Sequence, residues 1–202
     1  MIIIIIKEDY YNIIENRGAR YLKSLKSEDM SFYRNLEERG DFLYYLFAQY
    51  FRTSKIRNNY LNILKKRENP YNIDLIKVHK LILLGLANNA ATNISLGNDY
   101  DIGILKAPDN YFFITSDQPV VNTAWQDINH IGNVKSLAIH YPISPNKAIF
   151  LKKGTGKINN SIIINYNTLN WLNQSLVDFS FQQIYSSNEG DLLNIFSDNI
   201  SS

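Results

Sequence analysis

The chain has 202 residues, 45% of them hydrophobic, 13% aromatic and 20% charged, with a formal net charge of +2 and no cysteine. This length suits a single domain, 1–202, with a sizeable core, and so aromatic a chain is not a disordered one. The charge is too small to signal a nucleic-acid or membrane partner, while the lack of cysteine excludes a disulfide framework, thiol catalysis and cysteinyl metal sites and fits a reducing cytoplasm.

Met1 to Lys7 holds five consecutive isoleucines. It has no basic leader and is shorter than the roughly 7–15 apolar residues of a signal peptide, and β-branched Ile favours a strand. No later run approaches the roughly 18 residues of a membrane span, so we expect no membrane partner and a cytoplasmic location. Glu8 to about Ser27 is helical by the spacing of Tyr11, Ile14, Leu22 and Leu25, with Gly18 as a weak point. A longer helix is predicted from about Met30 to Lys66, capped by Ser27 or Asp29 and interrupted, if anywhere, at Gly40. Its apolar stripe reads Leu36, Leu43, Leu46, Phe47, Tyr50, Leu61 and Leu64. Pro70 ends it, Asn72 can cap the next helix from Ile73 to about Leu96, and Gly97 stops that one. The centre of this third helix, LILLGLANNAA, is apolar on nearly all sides and predicts the most buried helix.

After Gly97 the pattern turns to short strands. Asp101 to Lys106 and Tyr111 to Ser116 flank a Pro-containing turn and predict a hairpin. Val134 to His140, Lys147 to Lys152 and Asn160 to Asn165 follow as strands, and Asn167 or Thr168 opens a final helix to about Ile184. Helices first and strands second predict an α+β fold: a helical amino-terminal half, about 1–97, packed on a mainly antiparallel carboxy-terminal sheet with a final long helix, about 98–202.

Candidate site residues fall in four places. Phe112 to Asn122 reads as an apolar strand halted at Ser116-Asp117 and held open by Pro119. Asp117 there is either an acid/base, a metal ligand or an arginine anchor, or else it and Ser116 satisfy local backbone donors in a strand-ending turn. Thr53 and Arg57 interrupt the apolar stripe, with Gln49 and Arg52 beside them. An inward arginine must snorkel to water or meet an anion. We expect Arg57 to pair with Asp117, directly or through one group, because neither has a local partner. Ser144 lies in a second strand end, Tyr141 to Asn146, whose two prolines by themselves explain a rigid turn. Asn167, Asn170, Asn173 and Gln174 lie near a helix start, where backbone N–H groups can receive an anion and where Asn167 can equally be a cap.

Other constellations are poorer. His79 reads as a packed or surface residue, and His130, His140 and Asp127 match no metal spacing, so no metal site is predicted. Lys152 to Lys157 lacks the full phosphate-loop spacing and reads as a solvated hairpin tip.

FxTSDxPVV (Phe113 to Val121), PISPN (Pro142 to Asn146), N-x-L-N (Asn167 to Asn170) with IYS (Ile184 to Ser186), and Q-x-x-R-T-x-x-x-R (Gln49 to Arg57) occur together in this order. The set resembles the bacterial domain of unknown function 4238 family over roughly Leu36 to Ser187. The resemblance implies these polar motifs gathered at one site and supplies no reaction or cofactor. The family's H-x-x-P-x-x-x-L motif has no match, so the resemblance is to an amino-terminally short member. Two functions are compatible with these residues. One is a binding or regulatory module with a polar Arg/Asp/Asn site for an anionic ligand. The other is a small hydrolase of a phosphoester or nucleic acid, conceivably in host defence, with Arg52 and Arg57 on anionic oxygens and Asp117 as base.

Overall fold

The amino-terminal isoleucines are helical rather than extended: α1 runs Ile2–Lys26 without a break. β-Branched residues cost a helix only a few tenths of a kcal/mol each, which the continuation of a helix already formed downstream overrides. The computed structural model describes residues 2–66, 74–124, 137–188 and 190. Gly18 is a contact point and not a weak one. A Cβ there would fall 2.1 Å from the ring of Tyr45, so its absence lets α1 lie against α2.

The long second helix is three elements. A short 3₁₀ turn, Ser31–Arg34, precedes α2, Leu36–Phe51, and α3 is Ser54–Lys65. Asn35, in place of Ser27 or Asp29, caps α2, accepting from the N–H groups of Glu37 at 2.9 Å and Glu38 at 3.1 Å. Gly40 sits inside α2 and the break comes at Arg52-Thr53. α4 spans Leu75–Gly97, and Asn98, with φ 47°, takes the left-handed position after it that glycine was expected to supply. Asn72, its expected cap, lies outside the described residues.

α4 is not the central helix. It buries His79, Leu83, Leu84, Ala87, Ala91 and Ile94 but leaves Leu81 and Leu96 more than 60% exposed. The central one is α2, which buries every residue from Phe42 to Tyr50 except Tyr44 between α1, α4 and the sheet. Tyr21, Phe32, Tyr33 and Phe42 meet there edge to face or tilted, an arrangement that adds to plain burial.

The sheet is mixed, ordered β3-β4-β5-β1-β6, from β1 (Tyr100–Lys106), β3 (Val121–Asn122), β4 (Ala138–Ser144), β5 (Lys147–Lys153) and β6 (Ile162–Ile163). All its pairings are antiparallel except β1 with β6. The predicted hairpin between Asp101 to Lys106 and Tyr111 to Ser116 does not form. β1 pairs with β5, while β2 (Thr115–Ser116) pairs with β7 (Ile184–Tyr185) in a separate two-stranded sheet. Strand alternation turns Ile139, Tyr141, Ile149 and Leu151 toward the helical layer. The other face receives α5, Tyr166–Phe179, through Leu169, Leu172, Leu176 and Phe179. Asn165, and neither Asn167 nor Thr168, caps α5, accepting from the Thr168 N–H at 2.8 Å. Helices to the amino-terminal side, a largely antiparallel sheet and a closing helix make the α+β fold expected.

Candidate functional site

The corner between α2 and α3 is where two of the sequence motifs, Gln49 to Arg57 and Phe113 to Val121, meet. Thr53 leaves helical geometry with φ −68° and ψ 152°. Its hydroxyl turns back to donate to the Tyr50 carbonyl at 3.0 Å and does not cap α3. The same carbonyl is approached by Gln118 Nε2 at 3.5 Å, which also donates to the Val120 carbonyl at 2.9 Å. A carbonyl freed by the helix break thus meets two side chains, one from each motif, as a buried acceptor requires.

The break re-aims the two arginines. In one continuous helix, Arg52 and Arg57 would point about 140° apart at 3.6 residues per turn. With α2 ending at Phe51 and α3 starting at Ser54, both line one cavity of about 230 Å³, together with Tyr11 of α1 and Lys80 and Leu83 of α4. Arg52 is ion-paired with Glu15, one helical turn beyond Tyr11 on α1, the two side chains being 40% and 44% exposed. The Arg57 backbone N–H donates to the Thr53 carbonyl at 2.9 Å, while its side chain has no hydrogen bond or ion pair among the described residues. Burial raises the Tyr11 hydroxyl above its ordinary pKa, opposed by the nearby Arg52 charge, so it remains a donor at neutral pH. Behind the Arg52–Glu15 pair, the buried hydroxyls of Tyr45 and Tyr141 lie 3.1 Å apart, and both feel the two charges. The cleft is cationic, half open and lined by an arginine from each side of the corner, a combination suited to oxyanions.

Asp117 does not meet Arg57. Its carboxylate oxygens accept from the backbone N–H groups of Phe181 at 2.9 Å and Gln182 at 2.8 Å, just past α5, and its own N–H donates to the Gln183 carbonyl at 3.1 Å. The α3 residue whose charge reaches Asp117 is Lys55, which donates to the Asp178 carbonyl at 2.8 Å and lies over the Phe179 ring. Residues two apart on a helix point in nearly opposite directions, so with Lys55 turned to α5, Arg57 faces the cleft.

Ser116 is buried, donating to the Gln118 carbonyl at 3.0 Å and accepting from the Gln118 N–H at 3.1 Å, the local turn weighed as its alternative role. Gln49 is buried in α2. Ser144, last in β4, donates to Asn146 Oδ1 at 2.8 Å, and Pro142 before it lies within β4 beside a register shift and not in a turn. Asn167 is exposed and Asn170 half-buried on α5, and neither lines the cleft. The structure therefore brings Arg52 and Arg57 to one cavity, joins Thr53 to the Ser116 loop through Gln118 at the Tyr50 carbonyl, leaves Asp117 on the segment after α5 and keeps Ser144, Asn167 and Asn170 off the cavity lining.

Several residues that shape this region carry no motif. Tyr11, Glu15 and Lys80 come from helices remote in sequence from the corner, and no local pattern ties them to it. Asn173 is buried and clamps the strand-like run before β2, donating to the Phe112 carbonyl at 3.0 Å and accepting from the Ile114 N–H at 3.2 Å. His140 is buried within β4, its ring 5.6 Å from that of Phe113 and both ring nitrogens without a hydrogen bond among the described residues. Burial alone pushes its pKa down to about 3, so the ring is neutral. His130 and Asp127, the partners that a metal site would need, lie outside the described residues.

No curated protein and no solved structure matches this chain. A family model described as "Protein of unknown function (DUF4238)" matches residues 6–190, extending the likeness from the quoted motifs back through most of α1. The chain belongs to the DUF4238 family.

Proposed function

We propose that this protein is a binding module for a small oxyanion-bearing ligand, held between α1, the α2–α3 corner and α4. The observation that carries this reading is the convergence of Arg52 and Arg57 from two helices on one cavity, where Arg57 has no carboxylate partner among the described residues. An arginine kept half-buried without a counter-charge forgoes solvation that a bound anion would restore. The volume, about 230 Å³, lies below the roughly 300–1,000 Å³ of drug-sized ligand sites, which favours a phosphate-sized or short phosphoester group. Arg52 and Arg57 supply planar forks and Tyr11 a neutral donor.

Asp117 and Ser116 support the corner in this reading, their side chains being engaged with backbone. The hydrolytic alternative has no comparable support, since it needs Asp117 beside the arginines. The lack of cysteine and the absence of a helix long and apolar enough to cross a membrane among the described residues fit our assignment to the bacterial cytoplasm.

Titration calorimetry with inorganic pyrophosphate at low ionic strength tests the proposal. We expect a one-site isotherm that Arg57→Met weakens at least tenfold, a loss of about 1.4 kcal/mol, without lowering the melting temperature. Unchanged affinity in Arg57→Met would sink it.

A further inference from the structure

Glu15 is a carboxylate in contact with a residue of this cleft, and no motif points to it. It bonds Arg52 Nη1 through Oε1 from α1, one turn from the cavity-lining Tyr11. We infer that Glu15 is a resident counter-ion of the cleft, which holds Arg52 when the site is empty and yields it to an incoming phosphate-type anion. The inference rests on the anion-binding reading above and adds its regulation: the site opens by an exchange of anions on one guanidinium.

Three observations bear on the exchange. Both partners are about two-fifths exposed, so the pair sits in a high-dielectric setting where such contacts are weak and separable. Glu15 released from Arg52 is left at the surface and not stranded in the core, so displacement creates no buried unpaired charge. Among the described residues Glu15 engages Arg52 alone, whereas a phosphate-type group can engage the forks of both Arg52 and Arg57 lining the same cavity. The incoming anion therefore replaces one charge-assisted contact with two.

A double-mutant cycle read by pyrophosphate binding tests this. Wild type, Glu15→Gln, Arg52→Met and the double variant are titrated calorimetrically under one low-salt buffer, with circular dichroism checking that each is folded. Removing the competitor should tighten Glu15→Gln binding by about two- to fivefold, the range expected of an exposed ion pair. The gain should vanish when Arg52 is already Met, because Glu15 then has nothing to release. Equal affinity of wild type and Glu15→Gln, with both binding, overturns the counter-ion and leaves the anion site standing. A gain that persists undiminished in the Arg52→Met background also overturns it, as a through-space effect of the Glu15 charge. No binding by wild type or by Glu15→Gln overturns both the counter-ion and the site.

Discussion

His140 should give the protein a stability that falls with acid well above the usual carboxylate range. The residue is 1% exposed, lies in register with Val121 and Phe150 on the neighbouring strands, and has no hydrogen bond to either ring nitrogen among the described residues. Burial holds the folded pKa at about 3 against an ordinary 6.5. With the folded value depressed, the unfolded chain binds the extra proton between these limits, so stability is full above 6.5 and falls as pH drops toward 3. Moving from pH 7 to pH 5 should cost about 2 kcal/mol from this group alone, at about 1.4 kcal/mol per pH unit below 6.5. His140→Leu removes that term. It also removes a buried polar group without a partner, so at pH 7 the variant should be no less stable than wild type. Urea unfolding of both proteins at pH 7 and pH 5 measures it. The wild-type midpoint should fall by about 1 M more than that of the variant, for a slope of about 2 kcal/mol/M. Equal losses in the two proteins would refute the reasoning, since every other titrating group is common to both.

Other outcomes follow from single contacts. Gly18→Ala should lower stability by about 1–3 kcal/mol, since the added methyl collides with the Tyr45 ring, and a thermal melt will show it. Asp117→Asn exchanges one of two accepting oxygens for a donor facing the Phe181 or Gln182 N–H. It should cost about 1–3 kcal/mol in urea unfolding while leaving pyrophosphate affinity near wild type. Glu28 is held down to about 2 by Lys106, then Ser161, then Lys147. Its contribution is therefore complete above about pH 4.5 and fades as pH falls toward 2, and Glu28→Gln should flatten the acid limb of a stability profile below 4.5.

The broad plan was legible in the sequence because it rests on periodicity. Apolar spacing of three and four located α1 from Glu8 onward, most of α2 and α3, and α4, and the later β-rich runs located β1, β5 and only the first three residues of β4, whose remainder, from Tyr141, had the look of a proline turn. Partner choice was not legible. Asp101 to Lys106 and Tyr111 to Ser116 carry an acceptable turn between them, yet β1 pairs with a strand forty residues further on, because pairing is set by which faces the sheet buries. LILLGLANNAA looked apolar all round since alanine and glycine count as apolar while demanding little burial, yet Leu81, Gly85, Asn88 and Asn89 face solvent. Of the site, Arg52 and Arg57 were visible as charges beside or on an apolar stripe. Tyr11, Glu15 and Lys80 were not, since only the packing of three helices brings them there.

The same packing explains why one motif serves as scaffold and another as wall. Read as a single helix, Gln49 to Arg57 puts Thr53 and Arg57 inside the apolar stripe, which makes both look like buried polar residues in need of partners. The break at Arg52-Thr53 changes that requirement. Thr53 answers the carbonyl that the break itself exposes, and Gln118 reaches the same carbonyl from the loop that begins with Ser116. Asp117, in that loop, ties it to the end of α5, and Lys55 ties α3 to the same end. With those four residues committed to holding the corner, the face of α3 that carries Arg57 is turned away from the sheet and toward α4. Among the described residues the Arg57 side chain is left without a partner, the one carboxylate of the motif loop, Asp117, being engaged with backbone, and that is the cation our proposal offers to a ligand.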